Sequence, residues 1–249
     1  MNTRQALAAL LILCAFVRPP AALGAESSAV VTFGKGTIVL PEPDGFAPPS
    51  SAPQAGFHAL QHSLPSDMRL MALIIDEVFL RSAAAGEHTH LSRYFVVHTD
   101  RTLEMRGITR SDFAKVKGDL SRHAAAVIAA GAQEAQAGAA RASLDLARDS
   151  GDAALSVKPG DEVVLGVIEE RPDSISVASL STVSVATKDG QREFRQVVAL
   201  ACVRIHGRAL SASVYSDVDS PDDVEWAKQA LHDWVLRLDM LNASQTRDR

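Results

Sequence analysis

Three histidines near the middle of the chain are the side chains best suited to hold a metal ion. His88 and His90 would share one face of a strand, and His98 follows them closely in the sequence. A protein metal site takes about three converging ligands, and no third ligand stands at a fixed spacing from the first two. The competing interpretation is a polar loop between a helix and a strand. We favour the loop, keep His88, His90 and His98 as the candidate metal ligands, and predict no cofactor.

Four aspartates near the C-terminus have the chemistry of a calcium site, because calcium prefers several carboxylate oxygens. Their spacing lacks the glycine and the terminal glutamate of an EF-hand loop. The same residues stand where a helix is expected to begin, and the helix dipole stabilises acidic side chains there. Helix capping is therefore the favoured interpretation of this cluster, which comprises Asp217, Asp219, Asp222 and Asp223.

Nucleophilic catalysis has one cysteine candidate, Cys202, which lies in a run of valines and alanines. A cysteine in such surroundings usually behaves as a small buried apolar residue. The chain has no G-x-S-x-G sequence, and its GKGT stretch lacks the frame of a phosphate-binding loop. The sequence thus predicts no catalytic residue. It leaves enzymatic activity open and favours a protein that is not an enzyme.

The charge balance argues against nucleic acid as a partner. The chain has 249 residues, with 25 Lys and Arg against 30 Asp and Glu, which gives a net charge of −5. Residues 1–25 hold two of the arginines and no acid, so the chain without them carries a net charge of −7. Because phosphate contacts need clustered cations, we expect no nucleic-acid partner.

The first 25 residues have the layout of a secretory signal peptide. Arg4 precedes an uninterrupted apolar run at residues 6–17, and small residues follow the two prolines at 19–20. We expect cleavage after Ala25, with Gly24 as the second choice. The apolar run is shorter than the ~20 residues that span a bilayer, which argues against an uncleaved anchor. The prediction is a periplasmic or secreted protein with no stable membrane insertion after cleavage.

The start of the mature chain has the pattern of a β-hairpin. Residues 29–33 and 37–40 are short β-rich runs that flank a glycine-containing turn. The following segment, residues 41–56, contains five prolines and is expected to lack regular structure.

Strands and helices are expected to alternate along the next part of the chain. The apolar run at residues 68–75 predicts a strand that is buried on both faces, and Asp76 is placed to cap a short helix after it. Residues 93–99 predict another strand. An amphipathic helix is expected to start at a cap on Ser111 and to bend or break near Gly131.

Residues 162–215 give the clearest structural signal. Four β-patterned runs follow one another through short turns, which predicts an antiparallel meander. Its third strand is apolar on both faces, and its second strand alternates as a half-exposed strand does. A final helix should begin at Ser220 and Pro221 and pack an apolar stripe across the sheet. The stripe comprises Val224, Ala227, Leu231, Trp234, Val235, Leu238 and Leu241, with Trp226 at its flank.

The stretches TIVLPEPDGF, RYFVV, VVLGVIEE and VYSDVDSPDDVEWAKQALHDWV together resemble a group of uncharacterised exported bacterial proteins. That group shares an N-terminal LP-x-P-x-G-F motif and a closing S-P-x-D-x-x-W motif with a later tryptophan. The element order is also similar to the PsbP-like α/β/α sandwich. The resemblance implies no activity and favours a non-catalytic accessory or binding role. The motif residues here are Leu40, Pro41, Pro43, Gly45, Phe46, Ser220, Pro221, Asp223, Trp226 and Trp234.

These features predict a signal peptide at residues 1–25, one α+β domain at 26–242 and a disordered tail at 243–249. The expected fold is an antiparallel sheet, made of an N-terminal hairpin and a C-terminal four-strand meander, flanked by helices. The expected function is that of an exported accessory or binding module, whose partner is an envelope protein or a small ligand. The alternative is a periplasmic hydrolase or metal-dependent enzyme with a site around His88, His90 and His98.

Overall fold

The structure is a computed structural model that describes residues 28–85, 90–129, 132–150 and 152–243. The predicted signal peptide lies outside the described residues, as do His88 and residues 244–249 of the predicted tail. Ala243, the first residue of that predicted tail, is the last residue of a helix.

Strands and helices cover most of the described chain. The strands are β1 (Ala29–Phe33), β2 (Gly36–Leu40), β3 (Met68–Ile75), β4 (Arg93–Asp100), β5 (Ser156–Arg171), β6 (Ser174–Thr187), β7 (Gly190–Ile205) and β8 (Arg208–Asp217). The helices are α1 (Gln54–Ser63), α2 (Glu77–Ala84), α3 (Arg101–Arg106), α4 (Arg110–Ala129), α5 (Ala132–Ser150) and α6 (Pro221–Ala243). None of these helices is both long enough and apolar enough to cross a bilayer.

Every strand pair in the described chain is antiparallel. β1 and β2 form a separate hairpin, and the other six strands form one sheet in the order β3-β4-β8-β7-β6-β5. The predicted four-strand meander is confirmed as β5 to β8, and so is the N-terminal hairpin. The protein is therefore an α+β protein with an antiparallel sheet between helices, as the sequence predicts.

Strand β7 lies inside the sheet and is buried on both faces along its second half, as predicted. Val197 and Ala199 project to one face and join the core there, whereas Val198 and Cys202 project to the other. A strand between two paired neighbours and two covering layers has no solvent-facing side, so its apolar run is continuous.

One face of the six-stranded sheet is covered by the hairpin, Phe46 and α6. The indole Nε1 of Trp234 donates a hydrogen bond to the carbonyl of Pro41 at 3.0 Å. The rings of Phe46 and Trp226 stack with centroids 6.2 Å apart. The N-terminal and C-terminal motifs thus meet in the folded chain and fasten α6 to the sheet. The α6 residues in this core are Ala227, Leu231, Trp234, Val235 and Leu238.

The opposite face of the sheet is covered by helices α1, α2, α4 and α5. Leu60 of α1 and Phe79 of α2 pack on the β3, β4 and β8 side of this face. Phe113 and Leu120 of α4 pack on Ile175 and Cys202. The helical layer and the α6 layer enclose the sheet between them, which gives the protein three layers.

A cluster around Glu104 ties the β1–β2 turn to the main sheet. Glu104 accepts hydrogen bonds from the Arg69 guanidinium and from the Gly34 backbone N–H, at 2.7–3.0 Å. Gly34 has a φ of +64°, and a Cβ there would lie 2.1 Å from Nε of Arg208. Only glycine therefore fits at this turn.

Two predictions at the N-terminal ends of helices are wrong. Helix α1 begins at Gln54, inside the segment predicted to be irregular, because Pro53 immediately precedes the helix, where no intrahelical N–H is required. Thr109, and not Ser111, caps α4: its hydroxyl accepts a hydrogen bond from the Asp112 N–H at 3.1 Å. The predicted bend or break near Gly131 lies outside the described residues, which include α4 up to Ala129 and α5 from Ala132, and it stays a prediction.

Two predictions about burial are also wrong. Strand β6 is buried on both faces from Ser174 to Ser179, because α4 packs on Ile175 on one face and α6 lies beside Ala178 on the other. Only its second half alternates between buried and partly exposed residues. Leu241 is 39% exposed, and Asn242 is buried in its place. The side-chain amide of Asn242 pairs with both the N–H and the carbonyl of Val39 on β2.

Replacing Trp234 with alanine should lower the free energy of unfolding by about 3–5 kcal/mol, because the side chain is 2% exposed and its removal leaves a cavity. Urea unfolding followed by circular dichroism measures this change. Met240→Ala, on the same helix and 71% exposed, is the matched control and should change the free energy by less than about 0.5 kcal/mol. Equal midpoints for Trp234→Ala and the native chain would show that α6 is not docked through this residue.

Candidate functional site

A row of four polar side chains crosses the meander. The register pairs Glu162 of β5 with Ser181 of β6, Ser181 with Gln196 of β7, and Gln196 with Asp217 of β8. Directly paired residues on neighbouring strands project to the same face of a sheet. These four residues, which we call the polar row, lie on the face that the helical layer covers, in phase with Val198.

Two members of the polar row are buried, Glu162 and Asp217 are partly exposed, and hydrogen bonds satisfy the row only in part. Gln196 is completely buried and Ser181 is 5% exposed. The hydroxyl of Ser179 donates to Oε1 of Glu162 at 2.5 Å. Nε2 of Gln196 and Oδ1 of Asp217 are buried and have no hydrogen-bond partner among the described residues. An unpaired donor and an unpaired acceptor thus lie on adjacent strands, roughly 5 Å apart at the backbone.

His90 joins the polar row at its β8 end. Its Nε2 is hydrogen-bonded to Oδ2 of Asp217, and its ring stacks on Phe194 with centroids 4.4 Å apart and planes 11° apart. The His90 side chain is 29% exposed. A carboxylate and an aromatic ring therefore fix the orientation of an imidazole that remains accessible to solvent.

Two stacked tyrosines lie beside the row on the adjoining strands. The rings of Tyr94 and Tyr215 have centroids 4.4 Å apart, and the Tyr94 hydroxyl donates a long hydrogen bond of 3.4 Å to Oε1 of Gln196. Burial raises the pKa of Tyr94 well above its ordinary value, with further contributions from Tyr215 and Asp217. Burial likewise raises the pKa of Tyr215. Both phenols therefore stay protonated at physiological pH, and the Tyr94 hydroxyl acts as a hydrogen-bond donor.

The chemistry available at the polar row is hydrogen bonding and proton transfer. Amide, hydroxyl and phenol groups on rigid strands can orient a polar ligand. The His90–Asp217 pair has the geometry that holds an imidazole ready to accept or donate a proton. No group of three or more His, Cys, Asp or Glu side chains in the described residues is arranged to hold a metal ion.

His98 lies apart from this site. It pairs with Leu70 and Ser211, six residues before Asp217 on β8, which corresponds to about 20 Å along the strand. The side chain is 1% exposed, and neither ring nitrogen has a partner among the described residues. Burial lowers the pKa of His98 from 6.5 to about 4, so the ring is neutral in the folded chain. The described residues do not bring His90 and His98 together, and His88 lies outside them.

The acidic cluster divides between two roles. The Asp223 carboxylate accepts hydrogen bonds from the Ser220 N–H at 2.9 Å and the Asp219 N–H at 3.1 Å, and it pairs with Arg93 at 3.0 Å. The favoured interpretation of helix capping is therefore confirmed for Asp223. Asp217 ends β8 instead and belongs to the polar row.

Cys202 is buried beside Ser211, with 4.0 Å between its sulfur and the serine oxygen. It packs under α4, as expected of a small apolar residue.

Three members of the polar row are not recognisable from the sequence. Glu162, Ser181 and Gln196 are single polar residues in strand patterns and are adjacent only through the register of three hairpins. The sequence contains one indication of the site. Ser179 and Ser181 project to the same face of β6 as the apolar residues Ile175 and Val177. Two hydroxyls in the apolar phase of a strand indicate either an exposed face or a polar site.

Comparisons with known proteins leave the family open. No protein-family model and no curated protein sequence matches the chain. Matching solved structures include the Saccharomyces cerevisiae Ran-binding protein Mog1p and a mutant of Mog1, with TM-scores of 0.32 and 0.33. Each is 12% identical over 88% of this chain and 94% of its own. At these values the likeness supports no conclusion about function.

Replacing His98 with leucine should remove an acid-dependent loss of stability. The unfolded chain takes up a proton on this ring as pH falls through about 6.5, but the folded chain does so only near pH 4, so acid favours unfolding across that interval. This difference in the pKa of His98 lowers the free energy of unfolding by about 3 kcal/mol between pH 7 and pH 4. Urea unfolding at pH 7 and pH 4 measures the free energy of unfolding of both chains. The loss between the two pH values should be smaller in His98→Leu than in the native chain by this amount. Parallel losses in both chains would show that His98 is not buried as a neutral ring.

Proposed function

We propose that this chain is an exported, non-catalytic accessory module of the bacterial cell envelope that binds a small polar ligand at the polar row. The observation that carries the proposal is the unpaired Nε2 of Gln196 next to the unpaired Oδ1 of Asp217. The signal-peptide pattern at residues 1–25 and the resemblance to exported bacterial proteins support the location.

A polar ligand is favoured because both unpaired groups are hydrogen-bonding groups removed from water. Leaving such a group without a partner costs about 1–3 kcal/mol. A ligand that offers one acceptor and one donor at the right spacing would recover this free energy on binding. His90 flanks Asp217 and adds an oriented imidazole, and the Tyr94 hydroxyl donates to Oε1 of Gln196 at the other end of the same amide.

Strand placement favours recognition over a mobile catalytic site. Gln196 lies in an interior strand that is paired on both sides, so its side chain has little freedom to move. A rigid arrangement of donors and acceptors discriminates strongly between ligands, because a ligand that lacks one group leaves a buried partner unpaired.

The second candidate function is a hydrolase or metal-dependent enzyme, and the His90–Asp217 pair favours it. A carboxylate that orients an imidazole is the arrangement by which enzymes hold a general base. A metal ion at this position would need ligands in addition to these two side chains. This candidate predicts turnover that depends on His90, whereas the binding module predicts ligand affinity without turnover.

Replacing Gln196 with methionine should abolish ligand binding with little effect on the fold. The variant removes the unpaired donor, which is stabilising, and leaves the Tyr94 hydroxyl without its long hydrogen bond, which is destabilising. Because these effects oppose each other, the free energy of unfolding should change by less than about 2 kcal/mol. The measurement is the rise in Tm of the mature chain with a panel of amino acids, sugars, nucleosides and dicarboxylates. Compounds that raise the Tm should lose this effect on Gln196→Met.

Gln191→Met is the matched control, because Gln191 is an exposed residue on the same strand. Its Tm shifts should equal those of the native chain. If a stabilising compound acts equally on Gln196→Met and the native chain, the polar row is not the binding site. If His90→Gln abolishes turnover of chromogenic esters that the native chain hydrolyses, the second candidate function replaces the first.

Cell fractionation should recover a chain shortened by about 25 residues from the periplasm or the medium, because the apolar run at residues 6–17 is too short to remain as an anchor. Mass spectrometry of the recovered protein reads the cleavage position directly. Full-length protein in the membrane pellet would contradict the proposed export and processing.

A further inference from the structure

A cavity of about 860 Å³ lies between the C-terminal end of α1 and helix α5, away from the apolar core. Its charged side chains are unusual for a chain with a net charge of −5. Arg101, Arg141 and Arg148 line it together with His62, and among its described lining residues Asp145 is the single acid. We call this cavity the arginine groove.

The walls of the arginine groove are held together by close backbone packing. A Cβ on Gly138 of α5 would lie 2.4 Å from the carbonyl oxygen of Ser63, so glycine permits the two helices to touch. Arg141 donates from Nε to the carbonyl of His62 at 2.9 Å and from Nη2 to the carbonyl of Ser63 at 3.1 Å. The last carbonyls of α1 therefore fix the guanidinium of Arg141 before any ligand arrives.

Asp145 leaves most of the positive charge of the groove uncompensated. Its carboxylate contacts Nδ1 of His62 at 2.7 Å, and Nη1 of Arg148 lies 3.5 Å away. Glu104, outside the groove, attracts Arg101 but also pairs with Arg69. These two carboxylates and the partial negative charge at the end of α1 compensate only part of the charge of the three guanidinium groups. The arginine groove is thus locally positive on an acidic protein, and such a surface attracts anions.

Apolar side chains lie beside these cations. Leu64, Pro65, Ala137 and Leu144 line the same groove, and Leu144 is 68% exposed. A leucine with that much surface in water, next to arginines, suits a ligand with an anionic head and an apolar body. Guanidinium groups bind phosphate and carboxylate oxygens through paired N–H donors.

We propose that the arginine groove binds a small amphiphilic anion, a molecule with one phosphate or carboxylate head group and a short alkyl body. The head group pairs with Arg101, Arg141 and Arg148, and the alkyl body covers Leu144. This site is separate from the polar row, so either proposal can fail without the other.

Calorimetric titration of the mature chain with octyl phosphate tests the proposal, and octanoate identifies which oxyanion is preferred. Octyl phosphate should bind saturably and more weakly as salt rises, because its attraction is partly ionic. Arg101→Gln combined with Arg148→Gln should weaken binding by about tenfold or more, since two charge-assisted contacts are lost. Arg141 stays unchanged because it also holds α1.

The matched control combines Arg110→Gln with Arg122→Gln, which removes the same charge from exposed positions on α4. It should change the affinity by less than about twofold. Leu144→Ser should lower the affinity for octyl phosphate and leave the affinity for inorganic phosphate unchanged. That result would show that the alkyl chain contacts Leu144.

Four results would overturn the proposal. If octyl phosphate does not bind saturably, the arginine groove is not a binding site for it. If the α4 control loses as much affinity as the Arg101→Gln and Arg148→Gln variant, only the net charge of the protein matters. Inorganic phosphate that binds as tightly as octyl phosphate excludes the alkyl contact. Hexaglutamate that binds through these arginines when octyl phosphate does not would assign the groove to an acidic peptide instead.

Discussion

The register of the β5–β8 meander is the constraint on which the rest of this structure depends. Because side chains alternate between faces, a slip of one residue would move the apolar run of β7 and every polar residue beside it to the opposite layer. The same register places Val197 against α6, and it aligns Glu162, Ser181, Gln196 and Asp217 into one row. One set of strand pairings therefore decides both the core and the candidate site.

The two faces of the sheet have different tasks. On the α6 face, the contacts between motif residues are structural: Trp234 binds the Pro41 carbonyl, and Asn242 pairs with the backbone of Val39. These contacts hold the last helix and the first hairpin together although they are far apart in sequence. On the opposite face, polar groups interrupt the core, and the described residues leave some of them unpaired.

Two kinds of buried polar group occur on that second face, and they differ in connectivity. His98 is isolated beside Leu70, so its burial chiefly makes folding sensitive to acid. The members of the polar row lie side by side on paired strands, and three of them have a hydrogen-bond partner next to the row: Ser179 for Glu162, Tyr94 for Gln196 and His90 for Asp217. Adjacent polar groups on rigid strands offer a ligand several contacts at once, whereas an isolated ring offers none that solvent can reach.

The sequence by itself determined the meander, the hairpin, the two-sided burial of β7 and the helix that carries Trp234, because these follow from local periodicity and turn chemistry. It also marked His90 as a candidate ligand. Only the tertiary structure decided that Asp217 belongs with His90 and not with the helix cap, and that Arg101 faces α5 across the arginine groove. Such contacts join residues far apart in sequence, and strand order and helix packing, which no local pattern encodes, bring them together.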